Sequence, residues 1–155
     1  MLIWYVAGTV AAIVIAWLAA LVHASGHAPI VLVPLVFGIA LGATLTKLAA
    51  ARRVTGRARL VIGAILLAHI AILAEHAWLY LDFRQQWHEA REKSPQVAIF
   101  RPEQAWSPRD FFINEATPER VVVWCVDGMF IIFSTTATVA ILSKNATPLS
   151  PVPNP

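Results

Sequence analysis

Apolar residues run almost without interruption through four stretches of the chain, and the charged residues gather between them. A helix needs about 20 apolar residues to cross the hydrocarbon core of a bilayer. The stretches that meet this requirement are 2–22, 30–51, 60–81 and 121–142. We therefore predict an all-α membrane protein in which four transmembrane helices form one domain over residues 1–145, followed by a proline-rich tail over 146–155.

The amino-acid composition narrows the class of protein further. Of the 155 residues, 58% are hydrophobic and 14% are charged, which excludes a disordered chain and a self-contained soluble enzyme. The chain has one cysteine, Cys125, so an intramolecular disulfide, a CxxC redox pair and a cysteine-rich metal site are excluded as well. What remains is a small helical protein whose first partner is the lipid bilayer.

The distribution of charge predicts the orientation. About 38 residues connect spans three and four, and the outer loop 84–119 within this connection holds five basic and six acidic residues. Short loops rich in Lys and Arg stay on the cytoplasmic side. The second connection is of this kind, with five basic residues and no acidic one: Lys47, Arg52, Arg53, Arg57 and Arg59. We expect a plasma (inner) membrane protein with both termini in the cytoplasm, the long loop outside, and no nucleic-acid partner.

The first apolar stretch ends in Val22-His23-Ala24-Ser25, which is similar to the end of a signal peptide. No basic residue precedes the stretch, whereas signal peptides begin with a positively charged region. We expect it to be retained as the first span.

Small residues at four-residue spacing predict where helices approach closely, because association in lipid depends on close backbone contact. The first span has Gly8 and Ala12 at this spacing, and the second has Gly38 and Gly42. We expect spans one and two to pack against each other along these positions.

Aromatic residues lie near the predicted ends of the spans. Trp4 and Tyr5 are at the inner end, and Trp78, Tyr80 and Trp124 are at the outer end. Trp and Tyr are enriched at membrane interfaces, so we expect these rings to form interfacial belts.

Ionisable residues inside spans are costly and therefore point to function. The third span carries His69, Glu75 and His76, and the fourth carries Asp127. At 100° per residue, His69 and His76 share one side of the helix. Glu75 and Asp127 lie at about the same depth, roughly 10 Å from the outer ends of their spans. Two carboxylates at one level repel, so a proton or a protonated His76 is expected between them.

Two interpretations of this polar cluster stay open. It is either a site that binds a proton or an ion, with His69 as a deeper relay, or a polar clamp that fixes the packing of spans three and four. The cytoplasmic half of span three below His69 is entirely apolar, so no polar path crosses the membrane.

A metal or haem site is a weaker possibility. His23 and His27 are four residues apart, and with His76 and Glu75 they would supply ligands for zinc, copper or iron. Gly26 and Pro29 indicate that the helix ends before His27. Only His23 and His76 could approach matched depth for two axial haem ligands. The sequence therefore assigns no cofactor and leaves a haem or a metal as a minor alternative.

The long loop has local structure of its own. Span three is expected to continue as a helix through Lys93, and Ser107-Pro108-Arg109-Asp110 predicts the start of a short interfacial helix with Ser107 as its N-cap. The rings of Trp106, Phe111 and Phe112 are typical of a surface that docks a partner. The alternative is a loop folded back on its own helices.

The loop contains no GxSxG, HExxH, Walker or glycine-rich phosphate motif, so no enzyme activity is predicted. Our first functional hypothesis is an accessory subunit that packs into a larger membrane complex through spans three and four and the loop, with other membrane subunits or itself as partner. The alternative is a proton- or ion-coupled transporter or channel component that uses Glu75, His76 and Asp127. A metal- or haem-binding redox subunit is third.

Overall fold

Five helices make up almost all of the described chain. The computed structural model describes residues 2–24, 31–94 and 107–145. Its helices are α1 (Leu2–Ala24), α2 (Leu32–Ala51), α3 (Arg57–Lys93), α4 (Pro108–Glu115) and α5 (Pro118–Asn145). All except α4 are long and apolar enough to cross a membrane. The predicted all-helical, multi-pass architecture is confirmed to this extent.

Helix α3 is far longer than a membrane crossing requires. Its 37 residues continue beyond the apolar stretch and end at Lys93, where the N–H of Ser94 donates to the carbonyl of Ala90. At 1.5 Å per residue the helix measures about 55 Å, against roughly 30 Å for the hydrocarbon core. Its last three turns therefore lie beyond the length that a membrane crossing requires, and we call them the projecting end of α3.

The connection between α2 and α3 is a tight turn. The N–H of Val54 donates to the carbonyl of Ala49 at 2.9 Å, and Gly56 caps α3 with a φ of 99°. Only glycine adopts this left-handed conformation without steric cost. The turn forces α2 and α3 to run antiparallel.

The four long helices form a ring in which each packs mainly on two neighbours, and α2 and α3 also touch each other across it. Helix α1 packs on α2 and α3, and α5 also packs on α2 and α3. Helices α1 and α5 therefore lie diagonally opposite each other. This order places the C-terminal end of α1 beside the middle of α3.

One half of the bundle is closely packed. We call this half, which surrounds Trp4, the packed half. The Trp4 side chain is 1% exposed. Its indole Nε1 donates a hydrogen bond to the carbonyl of Leu45 at 3.0 Å. Gly63 leaves the space for this ring, since a Cβ there would lie 2.6 Å from Trp4 Cζ3. The hydrophobic cluster that contains this ring includes further fully buried side chains: Leu41, Leu45, Leu67 and Val139.

The position of Trp4 corrects the predicted interfacial belt. The ring lies inside the bundle and edge-on to Tyr5, with centroids 4.9 Å apart. Of the outer set, Trp78 is 36% exposed, whereas Tyr80 and Trp124 pack against other rings of the chain. The physical reason is that an aromatic ring gains as much from packing between helices as from facing lipid.

The small-residue positions do lie at helix contacts, and α1 packs on α2 as predicted, but the two glycines of α2 face a different helix. Ala12 is fully buried, and Gly8 contacts Leu67 and Leu45. Gly38 and Gly42 instead face α5: a Cβ at Gly38 would overlap the Ser134 hydroxyl, and one at Gly42 would lie 2.7 Å from the carbonyl of Thr135.

A hydrogen bond between α2 and α5 explains this pairing. The hydroxyl of Thr135, which is fully buried, donates to the carbonyl of Gly38 at 3.1 Å. Such a bond needs the helix backbones close together, and glycine permits that approach. The polar side of α5 therefore packs on α2 at the glycine positions, where the two backbones can approach closely.

Helix α4 starts with the predicted cap. The Ser107 hydroxyl accepts a hydrogen bond from the N–H of Asp110, and Pro108 is the first helical residue. Helix α5 starts in the same way, with Thr117 accepting from the N–H of Arg120 at 3.4 Å. These caps fix where α4 and α5 begin, and the connection between the two helices is short.

Candidate functional site

A cavity of about 620 Å³ lies at the opposite half of the bundle from Trp4. Three of the long helices and α4 contribute to its wall, with Ile131 of α5 among its lining residues. Most of the lining surface is apolar, and four of the ionisable side chains in it form the base of the cavity: His23, Glu75, His76 and Asp127.

Glu75 is the most deeply buried ionisable group here. It is 6% exposed, and its Oε1 lies 2.7 Å from Nδ1 of His23. An imidazole nitrogen donates to a carboxylate at this distance whether the ring is neutral or charged. The pair joins the end of α1 to the middle of α3.

The local sequence explains why these two side chains meet. Glu75 lies four residues after Ala71 and seven after Ala68, both buried against the bundle. His23 lies four residues after Ala19, which is also buried. Positions four and seven residues apart share one side of a helix, so each polar group continues a buried stripe of small residues.

Asp127 reaches the same cavity from α5. Its Oδ1 is inaccessible to solvent and has no hydrogen-bond partner among the residues that the structure describes. A buried carboxylate oxygen without a partner is costly. Asp127 is thus the polar group of the cavity whose bonding is incomplete.

His76 has an aromatic environment. Its ring lies edge-on to Trp124 with centroids 5.2 Å apart, and its centroid is 6.2 Å from that of Phe112. Its Nδ1 lies 2.8 Å from the carbonyl of Ile72, a contact that orients the ring. His76 therefore forms part of the aromatic wall of the cavity.

His69 lies outside the cavity. It is exposed on the surface of the bundle, and its Nδ1 lies 2.7 Å from the carbonyl of Ile65. His69 and His76 do share one side of α3, but only at the level of His76 is that side covered, by Phe112 and Trp124. The structure brings Glu75, His76 and Asp127 together and leaves His69 apart.

Helix α4 folds back on the bundle. Phe111 is 7% exposed, and its ring lies 4.8 Å from that of Phe83 and 5.4 Å from that of Tyr80. Phe112 also lines the cavity. These two predicted docking residues are thus engaged within the chain, while Trp106 lies outside the described residues.

Charged side chains surround the cavity further from its base. Asp82 and Gln86 of α3 line it, with the Gln86 amide donating to Asp82 at 2.8 Å, and Glu119 and Arg120 line it from the start of α5. Counting Glu75 and Asp127, four carboxylates face one guanidinium. The lining is therefore acidic.

His23 has a partner that sequence reasoning missed. It was expected as a weak metal ligand beside His27 and His76, and the structure instead pairs it with Glu75. The burial pattern of α1 carries the signal, because His23 follows Ala16 and Ala19 on the buried side.

The possible metal ligands do not assemble in the described ranges. No group of three or more His, Cys, Asp or Glu side chains there could hold a metal ion. His27 lies outside those ranges.

Comparisons with known proteins do not assign the chain to a family. No family model matches the chain, and no curated protein or solved structure matches it significantly.

Proposed function

We propose that the protein is a proton- or ion-coupled component of a membrane transport process, and that Glu75 and Asp127 take up and release the proton or ion. The observation that carries the proposal is the open space beside the incompletely bonded Asp127. In a polar clamp, buried groups satisfy one another. Here Asp127 lines the cavity, and its buried Oδ1 has no partner among the described residues.

The His23–Glu75 pair gives the site a way to respond to such an exchange. Helix α1 is held to α3 at this level by the 2.7 Å contact between them. A proton or cation that arrives at Asp127 changes the electrostatic field on Glu75, and hence the strength of that contact. Binding at the cavity would then alter how α1 lies against α3.

The packed half closes the bundle on one side of the cavity. Trp4, Leu45 and Leu67 fill the bundle below the cavity. We infer that the cavity has access from one side only, and that the chain acts as the ion-binding component of transport. With the proposed orientation in the plasma membrane, that side is the outer leaflet.

Infrared difference spectroscopy of the purified chain in lipid bilayers tests the proposal. Spectra are recorded for an acid step and, at constant pH, for exchange of N-methylglucamine for Na⁺ or K⁺. We expect carboxyl bands that are lost in both Glu75→Gln and Asp127→Asn. Glu92→Gln is the matched control, because Glu92 is exposed on the projecting end of α3.

The outcomes separate the alternatives. A response to the acid step alone assigns the proton, and a response to Na⁺ or K⁺ assigns the ion. If both cavity variants keep the wild-type spectrum while they elute as folded protein, the cluster is a polar clamp and the proposal is wrong. Thermal unfolding of each variant identifies loss of fold as a separate result.

An accessory subunit is the second candidate function, favoured by the projecting end of α3. Residues 84–93 expose charges of both signs, and Arg91 lies 5.5 Å from the centroid of the Trp87 ring. Such a surface suits a polar docking contact. Native mass measurement after mild-detergent purification tests it: a stoichiometric partner lost on Arg91→Glu supports the subunit, and a particle of this chain alone contradicts it.

A further inference from the structure

The size of the cavity exceeds what a proton or a metal ion requires. Its volume of about 620 Å³ is within the range of sites that enclose drug-sized molecules. The lining is mostly apolar, with aromatic rings on one wall and carboxylates at the base. This combination is typical of a site for an organic molecule that has an apolar body and a small number of polar groups.

The charge of the lining selects the sign of the ligand. Glu75, Asp82, Glu119 and Asp127 face the cavity with Arg120 as the counter-charge. With all four carboxylates ionised, the lining keeps a net negative charge even when both imidazoles are protonated. In a site of low dielectric constant, this balance opposes an anion and favours a cation.

The aromatic wall of the cavity also favours a positively charged ligand. Phe112 and Trp124 lie 6.4 Å apart by their centroids, and Trp124 is three residues from Asp127 on α5. The faces of aromatic rings attract cations, and Trp is the strongest of them. A positively charged group beside Asp127 would therefore meet both a carboxylate and aromatic rings.

We infer that the cavity binds an amphiphilic organic cation, with the cationic group between Asp127 and Trp124 and the apolar body against Phe111, Phe112 and Ile72. The inference rests on the proposed function, because it identifies the cation that the site takes up. The carboxylate of Asp127, which lines the cavity, would gain a charged partner there. The space around Gly128 would be filled at the same time, since a Cβ there would meet only Ile72, at 3.5 Å.

Two ions of matched shape and opposite charge provide the test. Tetraphenylphosphonium and tetraphenylborate have the same apolar body, so a difference between them reports charge. Each is titrated into the chain in nanodiscs of zwitterionic lipid, and the amount bound to empty nanodiscs is subtracted. We expect saturable, protein-dependent binding of tetraphenylphosphonium and none of tetraphenylborate.

Three variants locate the site. Asp127→Asn should weaken tetraphenylphosphonium binding about tenfold or more, because a charge-assisted contact is lost. Gly128→Leu should weaken binding by placing a side chain in the space beside Asp127 while every charge is kept. Glu92→Gln, outside the cavity, should bind as the wild type does. Gly128→Ala is the conservative companion of Gly128→Leu and should fold and bind nearly normally.

Several results would overturn the inference. Equal binding of both ions would show an apolar cavity without selectivity for charge. Binding that Gly128→Leu and Asp127→Asn both leave unchanged, in folded protein, would place the ion elsewhere. No binding of either ion, together with an intact infrared response to Na⁺, K⁺ or acid, would reject the organic cation and leave the proposed function standing. If neither ion binds and the infrared response is also absent, both the inference and the proposed function are rejected.

Discussion

The two halves of the bundle use the same residue types for opposite purposes. In the packed half, Trp4 fills the centre and Gly63 makes room for it. At the cavity, Trp124 forms a wall and Gly128 leaves open space. Helices in lipid gain little from burying apolar surface, so stability comes from close contact. The packed half supplies that contact, and the cavity gives part of it up in favour of space and polar groups.

The largest expected effect comes from removing the two tryptophan rings in turn. Trp4→Ala should lower the free energy of unfolding by about 3 to 5 kcal/mol, because a buried ring and its hydrogen bond to Leu45 are lost. Trp124→Ala should cost only about 1 kcal/mol, the worth of its ring contacts with His76 and Phe112. Titration with SDS from mixed micelles, followed by circular dichroism, measures both. Equal losses would mean that the two halves are equally packed.

The second comparison adds one methyl group at each of two glycines. Gly38→Ala should destabilise the protein by about 1 to 3 kcal/mol, since its Cβ would lie 2.9 Å from the carbonyl of Ile131 on α5. Gly128→Ala should be close to neutral, because Ile72 at 3.5 Å is an ordinary contact. Thermal unfolding midpoints in one detergent give the ranking. A larger loss for Gly128→Ala would refute the assignment of open space.

The smallest effect is expected for two adjacent threonines of α5. Thr135→Val removes the hydrogen bond to Gly38 and should cost about 0.6 kcal/mol, the average for such bonds within membranes. Thr136 Oγ1 is buried without a partner among the described residues, so Thr136→Val should be neutral or stabilising. The same SDS titration detects the difference. The reverse order would show that Thr136 has a partner and that the Thr135 bond contributes nothing.

Sequence alone could predict the elements and their ends. Hydrophobic length predicted four helices, and the pattern Ser107-Pro108 predicted where α4 begins. Both features depend on residues close together in the chain. The continuation of α3 to Lys93 was predictable for the same reason, because Pro95 is the first residue that ends it.

Contacts between helices were harder to predict. Gly38 and Gly42 were recognised as contact positions, but their partner was assigned to α1 because the pattern does not state which helix lies opposite. The pairing of His23 with Glu75 was missed for the same reason, since it depends on α1 lying next to α3. In lipid both sides of an apolar helix look alike, so Trp4 gave no sequence signal that it faces the bundle.

The unbroken course of α3 has a mechanical consequence. The helix carries Glu75 at the cavity and ends 18 residues later at Lys93, without an interruption in its helical hydrogen bonding. A rigid rod of that length acts as a lever arm of about 27 Å. A tilt of α3 by about 10° around Glu75 would therefore carry Lys93 sideways by about 5 Å. A small change of angle at the cavity becomes a displacement large enough for a neighbouring molecule to sense.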